Sequence, residues 1–309
     1  MTAAKKKNSR RKQARFRSSR RKRIRNTVLL LLLLVVLGGT GIGAIYVLRN
    51  GTVFDKLEEA YVASREFSGG ITDLDSLRAD GFAKNLCVVV SDVPMDGVSL
   101  GENQKGLLLD LDDRKVLYSK QALQKVYPAS ITKIMTLLLI FESIEQGKCK
   151  LEDKVTVSEY AASMGGSQVF LEPGETQDVN TMIKCISIAS ANDAAVAMAE
   201  HLAGSEQSFV KRMNKKAKAL GMKHTHFKNC NGLDDSIESG HYSSAYDVAL
   251  MSQSLVSKYP DISKYSTVWM DAITHITKKG KKKFGLTNTN KLIRTYQGIT
   301  GLKTGSTSK

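Results

Sequence analysis

Four absences frame this sequence. Proline is the first, with 4 in 309 residues, so little interrupts regular structure, and an ordinary apolar content of 42% fits a mostly globular chain. The second is any cysteine motif. Cys87, Cys149, Cys185 and Cys230 form neither a C-x-x-C pair nor a Cys/His zinc spacing. A disulfide is allowed outside a membrane, but spacing does not pair them. Cys185 lies in an apolar run and reads as a small buried hydrophobe. The third is acid at the start: residues 1–26 hold thirteen Lys and Arg and no Asp or Glu. The formal net charge of +16 therefore falls to about +3 beyond that tail. The basicity belongs to a tail rather than a domain face, which argues against a nucleic-acid partner.

The fourth absence is charge between Thr27 and Leu48. Twenty-two uncharged, mostly apolar residues are enough to cross a bilayer. The run is longer than a usual signal core and no clear A-x-A site follows, so an uncleaved signal anchor is expected over a cleaved signal. In either case the basic tail stays in the cytoplasm and the chain beyond Arg49 lies outside. Attraction to anionic lipid accounts for the tail. The expected organisation is a basic cytoplasmic tail (1–26), a transmembrane anchor (27–48), a stalk (49–84) and one large domain (85–309).

Within that domain, Tyr127-Pro128-Ala129-Ser130-Ile131-Thr132-Lys133 runs into the apolar stretch Ile134 to Ile140. Proline suits a helix start. Residues 130–145 have no Gly or Pro and are apolar on nearly every face, so a buried helix is predicted. Ser130 and Lys133 share the face of its first turn. Burial and the positive helix end both disfavour an ammonium, so this amine can act as a base toward the hydroxyl. Free N–H groups at the helix start can face an oxyanion. Alone, Ser-x-x-Lys is a weak signal, since it also occurs at Ser9, Ser19, Ser208 and Ser306.

The surrounding pattern predicts a strand at Leu86–Val90 and a hairpin of Gly106–Leu111 and Lys115–Ser119. Gly165-Gly166 and Pro173-Gly174 signal turns. Helices are expected at Asp178–Ala189, Asp193–Leu202, Ser205–Leu220 and Ser243–Ser257. Lys223–Asn231 reads as extended, then loop. Thr274–Ile276, Lys283–Leu286 and Gly298–Gly305 read as strands. Strands, then helices, then strands suggest one sheet closed by both ends of the domain, with helices packed on it.

Two polar elements can complete a site around Ser130. Ser190-Ala191-Asn192 breaks two helices and offers a hydroxyl to relay a proton and an amide to hold a peptide group. It equally suits a plain helix junction capped by its own side chains. Lys303-Thr304-Gly305 offers a cation and a hydroxyl for a carboxylate, with a glycine that permits close backbone approach. Ser-x-x-Lys, Ser-x-Asn and Lys-Thr-Gly in this order are the motif set of penicillin-binding proteins and class A β-lactamases.

The similarity extends to Gly106-Leu-Leu-Leu-Asp-Leu, Phe170-Leu-Glu-Pro-Gly-Glu175, Ser190-Ala-Asn-Asp-Ala-Ala-Val-Ala197, Leu220-Gly-Met-Lys-His-Thr-His-Phe227, Tyr242-Ser-Ser-Ala-Tyr-Asp247 and Gly298-Ile-Thr-Gly-Leu-Lys-Thr-Gly305. From about residue 85 to 309 the chain resembles the low-molecular-mass D-alanyl-D-alanine carboxypeptidases, peptidase family S11. The resemblance implies an α/β fold of the α+β type, similar to β-lactamases and penicillin-binding transpeptidases, with an antiparallel sheet and helices on its faces. It implies Ser130 as the acylated nucleophile, Lys133 as its base, and Ser190 and Asn192 as proton shuttle and substrate support. Lys303 and Thr304 would hold a terminal carboxylate beside Gly305. The N–H groups of Ser130 and Ser306 would form the oxyanion hole.

The implied partners are the peptidoglycan stem peptide and β-lactams as inhibitors, with no cofactor and no metal. His224 and His226 could pass for a metal pair, but no third ligand is in view. In that family the sheet continues past the Lys-Thr-Gly strand. This sequence ends at Lys309, so a sheet without its last strands is expected. A D,D-endopeptidase, a β-lactamase using Glu172 or Glu175, and an inactive envelope protein remain alternatives.

Overall fold

The longer helices pack around α1, Lys133–Glu145. One turn of 3-10 helix, Ala129–Thr132, leads into it, with Pro128 at its N-cap. The computed structural model of the chain describes residues 32–35, 89, 91–113, 115–234, 239–278 and 280–307. The predicted basic tail and stalk lie outside them, as does the Leu86–Val90 strand apart from buried Val89.

The all-round apolar pattern of α1 has its expected consequence. Ile134, Met135, Leu137, Leu138 and Ile140 are completely buried. Burying five such side chains favours the fold by roughly 8–15 kcal/mol. That margin matters because Lys133, at the head of the same helix, is completely buried too.

Four helices surround α1 after the short α2, Glu159–Ala162. They are α3 (Val179–Ile188), α4 (Asn192–Ala203), α5 (Glu206–Ala219) and α6 (Ala245–Lys258). Each of them packs directly on α1. Their starts follow the sequence signals. Asp178 accepts a hydrogen bond from Thr181 N–H, Ser205 from Ser208 N–H and Ser244 from Asp247 N–H. Gly204, with φ of +77°, ends α4 in the left-handed conformation that glycine adopts without strain.

The strands form three small antiparallel sheets among the described residues. Edge strand β1 (Leu32–Val35) pairs with β2 (Lys105–Asp110), which pairs with β3 (Lys115–Lys120) across a bulge at Leu108/Leu109. β4 (Lys154–Thr156) pairs with β5 (Thr176–Asp178). β6 (Met270–Thr277) and β7 (Gly280–Thr287) make a hairpin.

Two expectations change. The predicted sheet shared by both ends of the domain is instead two separate hairpins, β2–β3 and β6–β7, among the described residues. The predicted Gly298–Gly305 strand runs without a ladder. Its carbonyls are taken by side chains: Ser266 Oγ donates to Thr300 O at 2.7 Å and Asn290 Nδ2 to Gly301 O at 3.3 Å. Leu32–Val35, inside the predicted transmembrane run, is an edge strand. The rest of 27–48 lies outside the described residues, and among those residues no helix is long and apolar enough to cross a membrane.

Candidate active site

The Ser130 turn is held from below by a loop that the sequence reading left unassigned. Gly232 has φ of +81°, and a Cβ there would collide with the Ala129 carbonyl. Only glycine lets the two backbones meet. Ala129 itself has φ of +45°, a strained value for a residue with a side chain. Next to this contact, the His241 ring accepts at Nδ1 from Lys228 N–H at 3.2 Å. Its Nε2 therefore carries the proton and donates to Thr132 Oγ1 at 2.8 Å. Burial first, then the neighbouring His226, pushes His241 down to about 4, which keeps the ring neutral.

Lys133 and Ser130 form the centre. Lys133 Nζ lies 3.0 Å from Ser130 Oγ, 2.6 Å from Asn192 Oδ1 and 2.7 Å from Asn231 O. Burial lowers its pKa well below 10.5, and the Lys303 ammonium adds to the effect. The hydrogen-bond arithmetic suits an uncharged amine. Two N–H groups donate to the two carbonyl oxygens, Asn192 Oδ1 and Asn231 O. One lone pair remains, and the Ser130 hydroxyl can donate into it. Ser130 is partly exposed while its partner is fully buried, so the hydroxyl faces solvent and the amine does not.

Asn192 is the first residue of α4 and ties three segments together. Its Oδ1 accepts from Lys133, its Nδ2 donates to Gly165 O at 2.7 Å, and its N–H donates to Ser167 O at 2.7 Å. The two side-chain bonds fix the amide orientation. Adjacent Asp193 is also buried and accepts from Val169 and Leu171 N–H, so the 165–171 loop hangs from the start of α4. Ser190 is buried at the junction of α3 and α4 with φ of +60°, a second strained residue next to the site.

Asn192→Asp should put a carboxylate against the Lys133 amine. That favours the ammonium, so the midpoint of the acylation pH profile should rise by about one unit or more. Acylation at neutral pH should fall about tenfold or more. Asn192→Ala removes a hydrogen bond without adding charge and should not raise the midpoint. Stopped-flow acylation across pH separates the two.

The Lys303-Thr304-Gly305 segment comes to the same place. A Cβ on Gly305 would stand 3.2 Å from Pro128 O and 3.3 Å from Ile131 N, so the segment lies along the Ser130 turn. Lys303 Nζ donates to Thr304 O at 2.8 Å, and Thr304 Oγ1 donates to Thr289 Oγ1 at 2.7 Å. Desolvation pushes the Lys303 ammonium down to about 7. Ser306 is exposed beyond them.

The site thus unites Ser130, Lys133 and Asn192 by direct hydrogen bonds, with Ser190 at the adjoining helix junction and residues 303–305 alongside. Sequence reasoning missed Asn231, Gly232 and His241. The Asn231-Gly232 pair is a turn signal and marks a left-handed position. Nothing in it shows that a carbonyl there would meet Lys133.

Of the two glutamates considered for β-lactam hydrolysis, Glu175 has other engagements. Glu175 is buried and accepts from Glu172 N–H, from Gln177 Nε2 and from the His275 ring at 2.9 Å. It braces the 172–178 segment against β6. His226 Nδ1–H donates to Gly240 O, and His224 N–H donates to Asp247.

Known proteins resemble this chain. The family model described as D-alanyl-D-alanine carboxypeptidase, Peptidase_S11, matches residues 101–309. The D-alanyl-D-alanine carboxypeptidase DacF of Bacillus subtilis is 54% identical over 208 residues, covering 67% of this chain and 52% of the relative. DacA of Escherichia coli is 37% identical over 219 residues, covering 69% and 52%. The chain spans about half the length of the curated relatives it matches. Among solved structures, a peptidoglycan synthesis regulatory factor (PBP3) from Streptococcus pneumoniae superposes with a TM-score of 0.56 at 32% identity. That match covers 63% of this chain and 57% of the other. Penicillin binding protein 5 of Haemophilus influenzae gives 0.55 at 32%, covering 63% and 55%.

Proposed function

This chain belongs to the D-alanyl-D-alanine carboxypeptidase family, peptidase S11, and on that premise we propose that it removes the terminal D-alanine from peptidoglycan stem pentapeptides by acyl transfer to Ser130. The observation that carries the proposal is the buried Lys133 amine. It sits 3.0 Å from Ser130 Oγ with both of its other contacts to carbonyl oxygens.

Ser130 Oγ attacks the carbonyl between the two D-alanines, and its proton passes to the Lys133 lone pair. The N–H groups of Ser130 and Ser306 receive the oxyanion. The C–N bond breaks, and the proton is relayed to the leaving amine through Ser190. Asn192 holds the substrate peptide as well as the base. Lys303 and Thr304 bind the terminal carboxylate, and Gly305 lets the substrate backbone approach. Water then hydrolyses the ester on Ser130. A β-lactam, which presents a carboxylate and a strained amide, would acylate the same serine. The engagement of Glu175 with Gln177 and His275 favours this reading over a β-lactamase.

Thirteen basic residues before an uncharged run support anchoring through residues 27–48, with the domain on the cell-wall side, an arrangement that requires Leu32–Val35 to leave its pairing with β2. One experiment tests reaction and location together. Carbonate-washed membranes carrying the full chain should release free D-alanine from a stem pentapeptide. Uncoupled muropeptides from cross-linked dimers, without free D-alanine, would mark an endopeptidase instead. Loss of the chain into the wash would remove the anchor.

A further inference from the structure

Far from Ser130, three donors of different chemistry converge at the other end of α4. Cys149 follows α1, Asp153 closes the next turn, and His201 lies in the last turn of α4. A thiol sulfur, a carboxylate oxygen and an imidazole nitrogen all lie within 4.8 Å of one another. We propose that Cys149, Asp153 and His201 form a structural site for a zinc-type divalent ion, with water as the fourth ligand.

The backbone holds two of the donors in place. Lys150 N–H donates to Asp153 Oδ2 at 2.8 Å, and Asp153 N–H donates to Lys150 O at 3.2 Å. The turn is pinned to the start of α3, where Val179 N–H donates to Asp153 O and Asn180 N–H to Leu151 O. Cys149 is only 2% exposed, and its thiol makes one long contact, 3.6 Å to Lys150 O. His201 is exposed, which gives an ion a way in.

The donor set selects the ion. Thiolate, imidazole and carboxylate together suit zinc or cobalt, whereas calcium and magnesium require oxygen ligands. Bond lengths of about 2.0–2.3 Å place tetrahedral ligands roughly 3.3–3.8 Å apart, a small rotamer adjustment from the spacing seen. Binding releases the Cys149 proton to solvent. The thiolate and the Asp153 carboxylate then balance the dication. Without an ion, burial and the nearby Asp153 both push the thiol pKa up, and a bound dication would reverse that.

The location indicates the role. His201 lies nine residues along α4 from Asn192, about 14 Å along the helix axis. An ion there would join the loop between α1 and β4 to the far end of the helix that carries Asn192. It would stabilise the fold rather than take part in acyl transfer.

The test strips the full chain with a chelator and titrates it with Co²⁺, then Zn²⁺. One equivalent of Co²⁺ should produce tetrahedral visible bands and a thiolate charge-transfer band, and Zn²⁺ should abolish both. Zn²⁺ should raise the melting temperature of the wild type. Cys149→Ser and His201→Gln should each weaken binding at least tenfold and remove the thermal shift, with penicillin acylation unchanged. His201 is exposed, so His201→Gln keeps its fold and remains a fair test even if Cys149→Ser does not fold. Absence of the thiolate band, or binding that survives His201→Gln, would overturn the proposal.

Discussion

Ser130→Ala in the full chain should abolish covalent labelling by a fluorescent penicillin while the melting temperature stays near that of the wild type. The reason is geometric. Among the described residues, Ser130 Oγ is the one hydroxyl hydrogen-bonded to the buried Lys133 amine, at 3.0 Å. The substitution removes the nucleophile and leaves no substitute on that turn, since Thr132 Oγ1 is engaged with His241. Loss of a serine nucleophile costs on the order of 10⁴-fold or more in rate, so residual labelling should fall below detection. Stability should change little. Ser130 is partly exposed, and among the described residues its Oγ bonds to Lys133 alone. Labelling that persists at wild-type rate would remove Ser130 from its role, whatever the fold does.

Lys133→Met should have the next largest effect, and it reads out in two ways. Acylation should fall about 10²- to 10⁴-fold, the usual contribution of a positioned general base. The second readout is stability as a function of pH. Burial depresses the Lys133 pKa in the folded chain, while the unfolded chain keeps a value near 10.5. Between those two pKa values the unfolded state binds a proton that the folded state does not. Folded wild type should therefore gain about 1.4 kcal/mol per pH unit relative to Lys133→Met in that window. Below the folded pKa both states are protonated and the difference should level off. Denaturant unfolding of both proteins from neutral to alkaline pH measures this directly. Parallel stability curves would mean that the amine is not held uncharged.

Holding that amine neutral is affordable within the fold. Taking a proton from an ordinary lysine at pH 7 costs about 5 kcal/mol. The five completely buried side chains of α1 outweigh that cost, and the three partners of Nζ offset part of it. The sequence supplies both parts at once, a lysine on the first turn and an unbroken apolar run behind it.

Legibility followed the range of the interactions involved. Helix starts depend on a residue and its own next turn, so Asp178 and Ser205 cap the helices at their predicted first residues, while Ser244 caps one residue past the predicted start at Ser243. The Ser130–Lys133 pair is likewise local. The Asn192 and Lys303 segments are distant in the chain, and only the joint occurrence of three motifs brought them to the same site. Asn231 lay beyond reach because it acts through a backbone carbonyl, which no side-chain pattern announces. His241 meets Thr132 across 109 residues, and its role depends on which ring nitrogen carries the proton.

The strand at Gly298–Gly305 was misread for a related reason. Its composition permits an extended chain, but whether a ladder forms depends on what reaches its carbonyls. Here the Ser266 and Asn290 side chains do so. The convergence of Cys149, Asp153 and His201 was invisible for the same cause, because the fold rather than the spacing brings them together.

The claim beneath all of this is that a lysine one turn beyond Ser130 works as an uncharged base at neutral pH. The direct measurement is the rate of penicillin acylation of the full-length wild type from about pH 5 to pH 11, followed by stopped-flow fluorescence. A rate that rises with deprotonation of a single group and levels off well below 10.5 is the result the structure requires. A rate that climbs only as the pH nears 10.5, as it would for an ordinary solvated lysine, would contradict it.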